Sequence, residues 1–409
     1  MERVKNKNKY LILGLLCLAW FVGYLDRVSM SIAIIPITKD FNLSPTQVGL
    51  VLSSFFIGYA FMQPIGGWLA DKFGSKRILI MAIILWSLFT ALTGIAWSFI
   101  SLIVIRILFG IGEGSFPPAS SVAIAEHFPK TERARAKTLL LSSTSIGSAV
   151  GALVVAAVVT SYGWRSMFIF LGFIGVVISI LFWLYVRPST QERENSKKQT
   201  ANKVSVKQLL KIPTMQKLVI IFLGITIAGW GLNSWMPSYF VNVRHMDLIS
   251  AGLSTAIAPL MGFVTSIASG WILDKFMVGR EKYLIIIGAS LAALFLYLMF
   301  NTPSVVLAVT YMTLCKMSMN LVESTVFVLP LKNLPEEFIG TGTGLINFGG
   351  QIGSTISPTV IGFLISMFNG SYNAAFWFLI ALLTLSTIVG ITLRSDKKSL
   401  ESIKDKATA

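Results

Sequence analysis

Gly67-Trp68-Leu69-Ala70-Asp71-Lys72-Phe73 and Gly270-Trp271-Ile272-Leu273-Asp274-Lys275-Phe276 agree at five of seven positions, and the second stands 203 residues after the first in a chain of 409. Each closes a long apolar stretch. A heptapeptide repeated at about half the chain length, after corresponding segments, marks an internal duplication. Duplicated apolar halves point to a transporter whose substrate site lies where the repeats meet, near the middle of the membrane.

Outward from these two motifs the chain reads as twelve apolar segments, at 10–37, 45–70, 78–98, 100–125, 136–160, 165–186, 215–242, 249–273, 283–301, 303–329, 339–367 and 372–393. Each is long enough, at about 20 residues, to cross a hydrocarbon core near 30 Å thick. Composition agrees: 54% of residues are hydrophobic and 13% charged, with mean hydropathy +0.74. A soluble domain carries about twice that charge. The first segment is too long for a signal-peptide core and holds Asp26-Arg27 in its middle, so a retained helix is expected. The longest polar stretch, 187–213, is rich in Ser, Lys and Gln and reads as a cytoplasmic linker. The expected architecture is an all-α membrane protein with twelve transmembrane helices in two pseudo-symmetric six-helix bundles. The N-terminal bundle covers 1–186, the linker 187–213, and the C-terminal bundle with a short cytoplasmic tail 214–409.

The net charge of +16 would suggest nucleic acid in a soluble protein. Here its placement argues otherwise. With the N-terminus inside, most of the 34 bases fall in cytoplasmic segments, while the outside loops hold only Lys39, Arg165 and Arg244. That is the positive-inside pattern, and it puts both termini in the cytoplasm. The basic excess reads as topology and contact with anionic lipid rather than a nucleic-acid footprint. Cys17 and Cys315 both lie in apolar segments and read as core fillers, and His127 and His245 lie near segment ends. Neither a disulfide framework nor a metal site is expected, and no cofactor. No set of nucleophile, base and orienting group stands out, so an enzyme is not expected.

Six charges do lie inside apolar segments: Asp26, Arg27, Arg106, Glu113, Lys316 and Glu323. Each costs about 2.5–3.5 kcal/mol at the centre of a membrane helix, so their retention points to an ion path or a charged substrate. Arg106 and Glu113 are seven residues apart on the fourth segment, and Lys316 and Glu323 are seven apart on the tenth, 210 residues later. Seven residues is about two turns, which puts base and acid on one face about 10 Å apart.

The residues around the first heptapeptide extend to Gly67-x-x-x-Asp71-Lys72-x-Gly74-x-Lys76-Arg77. This resembles the loop motif between helices two and three of the major facilitator superfamily, with a reduced copy at Gly270–Lys275. A narrower resemblance is carried by Tyr24-Leu25-Asp26-Arg27, by Arg106-x-x-x-Gly110-x-Gly112-Glu113-Gly114-x-x-x-Pro118, and by Asn347-x-Gly349-Gly350-x-x-Gly353-x-x-x-x-Pro358. These are similar to the anion:cation symporter family, in its bacterial sugar-acid and organic-anion branch. The glycine-proline motif of efflux carriers is absent from helix five.

The resemblance implies alternating access and uptake of an organic anion, such as a hexonate or hexuronate, together with protons. It implies that Asp26 and Glu113 carry protons and that Arg27 and Arg106 meet the substrate carboxylate. Tyr59 and Asn347 match substrate-contacting positions, and Asn233 is a looser match. Gly67, Asp71, Lys72, Arg77 and Asp274 belong to the cytoplasmic gate. The chain is expected to act as a monomer in the cell membrane of a bacterium.

The residue chemistry agrees in kind. Arg binds carboxylate bidentately, while burial and neighbouring cations act oppositely on a carboxylic acid, so alternating exposure can switch its proton. A structural ion pair remains open for each arginine. An organophosphate or phosphate antiporter and a drug or cation effluxer are the rival transporters. Lys316 and Glu323 lie outside the family pattern, and either mirror the helix-four pair or neutralise each other.

Overall fold

The computed structural model describes residues 2–186, 209–210, 212–277, 279–333 and 336–393, and these are helical throughout apart from short connections. The helices are α1 (Glu2–Phe41), α2 (Pro45–Phe73), α3 (Ser75–Gly94), α4 (Phe99–Gly114), α5 (Phe116–His127), α6 (Lys130–Tyr185), α7 (Pro213–Asn242), α8 (Leu248–Lys275), α9 (Lys282–Asn301), α10 (Val305–Asn333), α11 (Glu336–Met367) and α12 (Asn373–Ile391). Nearly all of the expected linker lies outside the described residues.

These twelve helices are not one-for-one the twelve expected crossings. α4 and α5 meet at Ser115 and together form one apolar span, Phe99–His127. The break falls just before Pro117 and Pro118, which have no N–H to continue the ladder. Conversely, α6 is 56 residues long. A straight helix of that length would run about 84 Å, far more than a bilayer core. It turns at Gly163, whose backbone (φ 81°, ψ 162°) is open to glycine but strained for other residues. The turn lies between the segments expected at 136–160 and 165–186. Among the described residues eleven apolar spans, one of them turned at Gly163, therefore account for twelve crossings.

The repeated heptapeptide explains the ends of α2 and α8. α2 opens with a reciprocal cap, in which Gln47 N donates to Ser44 Oγ and Ser44 N to Gln47 Oε1. It closes on Gly74 (φ 87°), whose N–H donates to Ala70 O at 2.9 Å, and α3 starts at the next residue. In the second copy Met277 stands where Gly74 would recur, 203 residues on, and the positive φ moves to Gly279. Large apolar side chains such as Phe61, Ile100, Phe173 and Trp183 face outward, as lipid contact requires.

Contacts group the chain into two compact units, Met1–Gln199 with Ser234–Pro259, and Thr200–Asn233 with Leu260–Ala409. In the first, α2 and α4 touch through glycines. A Cβ on Gly58 would stand 2.1 Å from Ile107 O, and one on Gly110 2.2 Å from Phe55 O. That approach brings α4 against α1 and α2 and sets the buried charges among them. Gly252 of α8 packs against α6 in the same way, since a Cβ there would stand 2.7 Å from Ala152 O.

Candidate functional site

Four of the six intramembrane charges meet in the first unit. Asp26 and Arg27 are consecutive on α1, so their side chains leave the helix about 100° apart and find different partners on α4. Arg106 Nη1 donates to Asp26 Oδ1 at 3.2 Å. Arg27 Nε donates to Glu113 Oε1 at 2.9 Å. Arg27 Nη2 is also 2.9 Å from that oxygen but not at a hydrogen-bonding angle. All four side chains are buried, and Glu113 is fully so, at 0% exposure.

The arrangement is two crossed ion pairs with no net charge. Isolated charges at this depth would be prohibitive, and pairing is what makes them tolerable. The pairs are not fully satisfied. Glu113 Oε2, Arg106 Nε and Arg27 Nη2 are buried without a hydrogen-bond partner. An orphan carboxylate oxygen is a place where a proton can sit without displacing a donor.

Aromatic rings enclose the guanidinium groups. Arg27 Cζ lies 4.4 Å from the Tyr59 ring centre, 4.6 Å from Tyr24 and 4.9 Å from Phe55. Arg106 Cζ lies 4.3 Å from Phe109. Such faces favour a cation and exclude water. Tyr59 thus joins the quartet as a buried wall. Gly23 of α1 leaves room for the acid, since a Cβ there would stand 3.3 Å from Glu113 Oε1. Trp20 packs away from the charges, stacked on Phe116 at 4.9 Å.

The sequence reading missed Thr90. Its hydroxyl, on α3, donates to Asp26 Oδ2. A signal existed: Ser87, Thr90 and Thr93 recur at helical spacing in an apolar segment, and all three are buried.

The remaining expected residues lie elsewhere. Asn233 on α7 and Asn347 on α11 are exposed. Asp71, Lys72 and Arg77 are exposed near the α2–α3 connection, and Gly67 is half-buried there. Asp71 makes no ion pair among the described residues, and Lys72 lies over the Trp68 ring at 4.8 Å. The α2–α3 connection is held instead by Ser75 donating to Glu126 Oε2 and Lys76 donating to Trp183 O. Asp274 belongs to α8, but its side chain lies outside the described ones.

Lys316 and Glu323 form no ion pair. Lys316 Nζ donates to a backbone carbonyl, Gly229 O, at 2.6 Å. Glu323 is exposed, two turns along the same helix. Among the described residues no group of three His, Cys, Asp or Glu could hold a metal ion.

Comparison with known proteins agrees with this architecture. The chain is 31% identical to a probable sulfoacetate transporter of Cupriavidus necator over 405 residues, 94% of each chain. It is 28% identical to a hexuronate transporter of Bacillus subtilis over 387 residues, 91% of each. Its fold matches the crystal structure of a bacterial homolog of the human lysosomal transporter Spinster with a TM-score of 0.85. That match is at 19% identity and covers 97% of this chain and 98% of the other. The heptapeptide repeat, the twelve crossings and a family model matching residues 15–358 together show that the chain belongs to the Major Facilitator Superfamily, as a multi-pass membrane transporter and not an enzyme.

Proposed function

We propose that the protein is a proton-coupled symporter of an organic anion, a sugar acid or related carboxylate, working by alternating access. The observation that carries this reading is the neutral quartet of Asp26, Arg27, Arg106 and Glu113, buried at membrane depth with one carboxylate oxygen unpartnered. A guanidinium at depth suits a solute carboxylate, yet here each guanidinium is already held by an acid. A proton on Asp26 or Glu113 cancels the charge that holds its arginine. The freed guanidinium then takes the solute's carboxylate, and the site stays neutral overall with both aboard. Without the proton, a bound anion would leave the site with excess negative charge in a medium of low dielectric. Proton and anion therefore travel together.

The substrate class is supported by relatives named for sulfoacetate and hexuronate. Tyr59, Asn233 and Asn347 are assigned to the solute. Gly67, Asp71, Lys72, Arg77 and Asp274 are assigned to the cytoplasmic gate, where ion pairs would form in one conformation and break in the other. The protein is read as a monomer of two six-helix halves, 1–186 and 214–409, in a bacterial cell membrane with both termini inside, as the distribution of bases supports.

The test is uptake into proteoliposomes under a pH gradient, after a thermal-shift screen of gluconate, galactonate, glucuronate, glucarate, tartrate and sialic acid. Asp26→Asn and Glu113→Gln are expected to abolish proton-driven uptake. Undiminished uptake in both, or stabilisation by lipophilic cations and by no carboxylate, would overturn the reading.

A further inference from the structure

We propose that Lys316 binds a second acidic group of the carried solute, carboxylate or sulfonate, so that the carrier prefers dianions to monoanions. The proposal rests on the organic-anion reading above and goes beyond it in naming the charge of the substrate.

The duplication supplies the first argument. Lys316 stands 210 residues after Arg106, and Gly229 stands 203 after Asp26, the offset of the repeated heptapeptide. Arg106 of α4 reaches Asp26 of α1, and Lys316 of α10 reaches Gly229 of α7. In each half a base of the fourth helix reaches the first helix of that half, but in the second it meets a backbone carbonyl where the first has an acid. The base keeps its place and reaches only a backbone carbonyl.

The second argument is the state of the ammonium. It has three N–H donors, and the described residues occupy one, with a neutral acceptor. It lies within the apolar span Val305–Pro330, where a charge without a counter-charge is expensive. Among the described residues no carboxylate comes within ion-pair distance. Glu323, the nearest acid on its own helix, is two turns away and points to an exposed face. A mobile anion would be the close counter-charge that the described residues do not supply.

The third is what surrounds it. Asn233 lies one turn from Gly229 on the same face of α7 and is exposed. Asn320 lies one turn from Lys316 on α10. Gly262 of α8 makes room for it, since a Cβ there would stand 2.5 Å from Asn320 Nδ2. An ammonium and two amides suit the oxygens of a carboxylate or sulfonate and of neighbouring hydroxyls.

A structural reading would make Lys316 only a tie between α10 and α7. That role affects stability but cannot discriminate between solutes. The experiment compares glucarate, with two carboxylates, and gluconate, with one on the same carbon chain. Binding to the purified full-length protein is measured by titration calorimetry. Wild type is expected to bind glucarate about tenfold or more tightly than gluconate, the scale of one charge-assisted hydrogen bond. Lys316→Gln is expected to erase that preference and leave gluconate affinity within about twofold. Gly229→Asp tests the same idea with the lysine intact. A Cβ at Gly229 would meet Lys316 Nζ at 3.8 Å and Met319 Cε at 3.4 Å, ordinary contacts. The new carboxylate would hold the ammonium as Asp26 holds Arg106, and the preference should again vanish.

A preference that survives in either folded variant overturns the assignment of Lys316, as does equal binding of the two acids by wild type. If wild type binds neither these nor any other carboxylate of the screen, the organic-anion reading falls, and this proposal with it.

Discussion

α4 and α10 each carry a base and a glutamate seven residues apart, arginine on α4 and lysine on α10, and the two pairs live in opposite circumstances. On α4 both charges are buried and each is held by an oppositely charged residue of α1. On α10 the base is half-buried against a carbonyl and the acid is exposed without a base. The difference arises in the neighbouring helix rather than in α4 or α10. Where α1 has Asp26 and Arg27, α7 has Gly229 and Trp230, 203 residues on. With no acid at 229 and no arginine at 230, neither Lys316 nor Glu323 has an opposite charge within ion-pair distance among the described residues. A closed, neutral set of ion pairs stands in one half. A cation that is open without one stands in the other.

The largest expected effect separates the two bases by stability. Arg106→Gln strands Asp26 in a buried site, and breaking a buried pair in this way costs about 3–5 kcal/mol. Lys316→Gln strands nothing, because no acid leans on the ammonium, and its cost should stay within about 1 kcal/mol. Thermal melting in detergent, without solute, reads both. Asp26→Asn added to Arg106→Gln should recover much of the loss, since the stranded charge is gone. Equal destabilisation by the two single variants would break the contrast. It would mean that Lys316 is as firmly built into its half as Arg106 is into the other.

Much of this architecture is legible in the sequence because it follows from long-period features. Apolar segments of membrane length and a heptapeptide repeated at Gly270 fix the number of crossings and the duplication, and the gap after residue 160 already marks the turn at Gly163. The four buried charges of α1 and α4 are legible because such residues are costly at depth and stand out. Who pairs with whom is not. Asp26 and Arg27 are adjacent, and which of them faces Arg106 depends on the rotation of α1, which the sequence does not state. Thr90 is a single hydroxyl 64 residues from its carboxylate. The fate of Lys316 was open for the same reason: spacing along α10 suggested Glu323 as a partner, whereas packing gave it Gly229 on another helix.

Thr90 offers an intermediate effect that tests how the closed set is tuned. The groups facing Asp26 are Arg106, the neighbouring Arg27, and the Thr90 hydroxyl, with Glu113 beyond. Thr90→Val keeps the shape and removes one donor. The ionised carboxylate loses a stabilising hydrogen bond that the neutral acid needs less, so protonation becomes easier. Proton-driven uptake should then reach its half-maximum at a pH about one unit higher, since a hydrogen bond to a charged group is worth about 1.5 kcal/mol or more. Thr90→Ser should restore the wild-type profile. A lowered rate at every pH with an unmoved midpoint would mean that Thr90 only packs α3 against α1.

The smallest effect belongs to Glu323, and its smallness is informative. If seven-residue spacing alone made a proton site, Glu323→Gln would resemble Glu113→Gln. The two acids differ in what protonation does. Neutralising Glu113 releases Arg27, which the carboxylate holds by a direct hydrogen bond. Neutralising Glu323 should release nothing, because no base among the described residues lies within ion-pair distance of it. Glu113→Gln should therefore abolish proton-driven uptake, while Glu323→Gln should leave its rate and pH profile within about twofold, the range expected for an exposed substitution without a partner. Its melting temperature should likewise be unchanged. Should Glu323→Gln abolish coupling, the second half would hold a proton site of its own, and the count of protons carried per solute, measured by charge movement against solute flux, would fall by one in that variant.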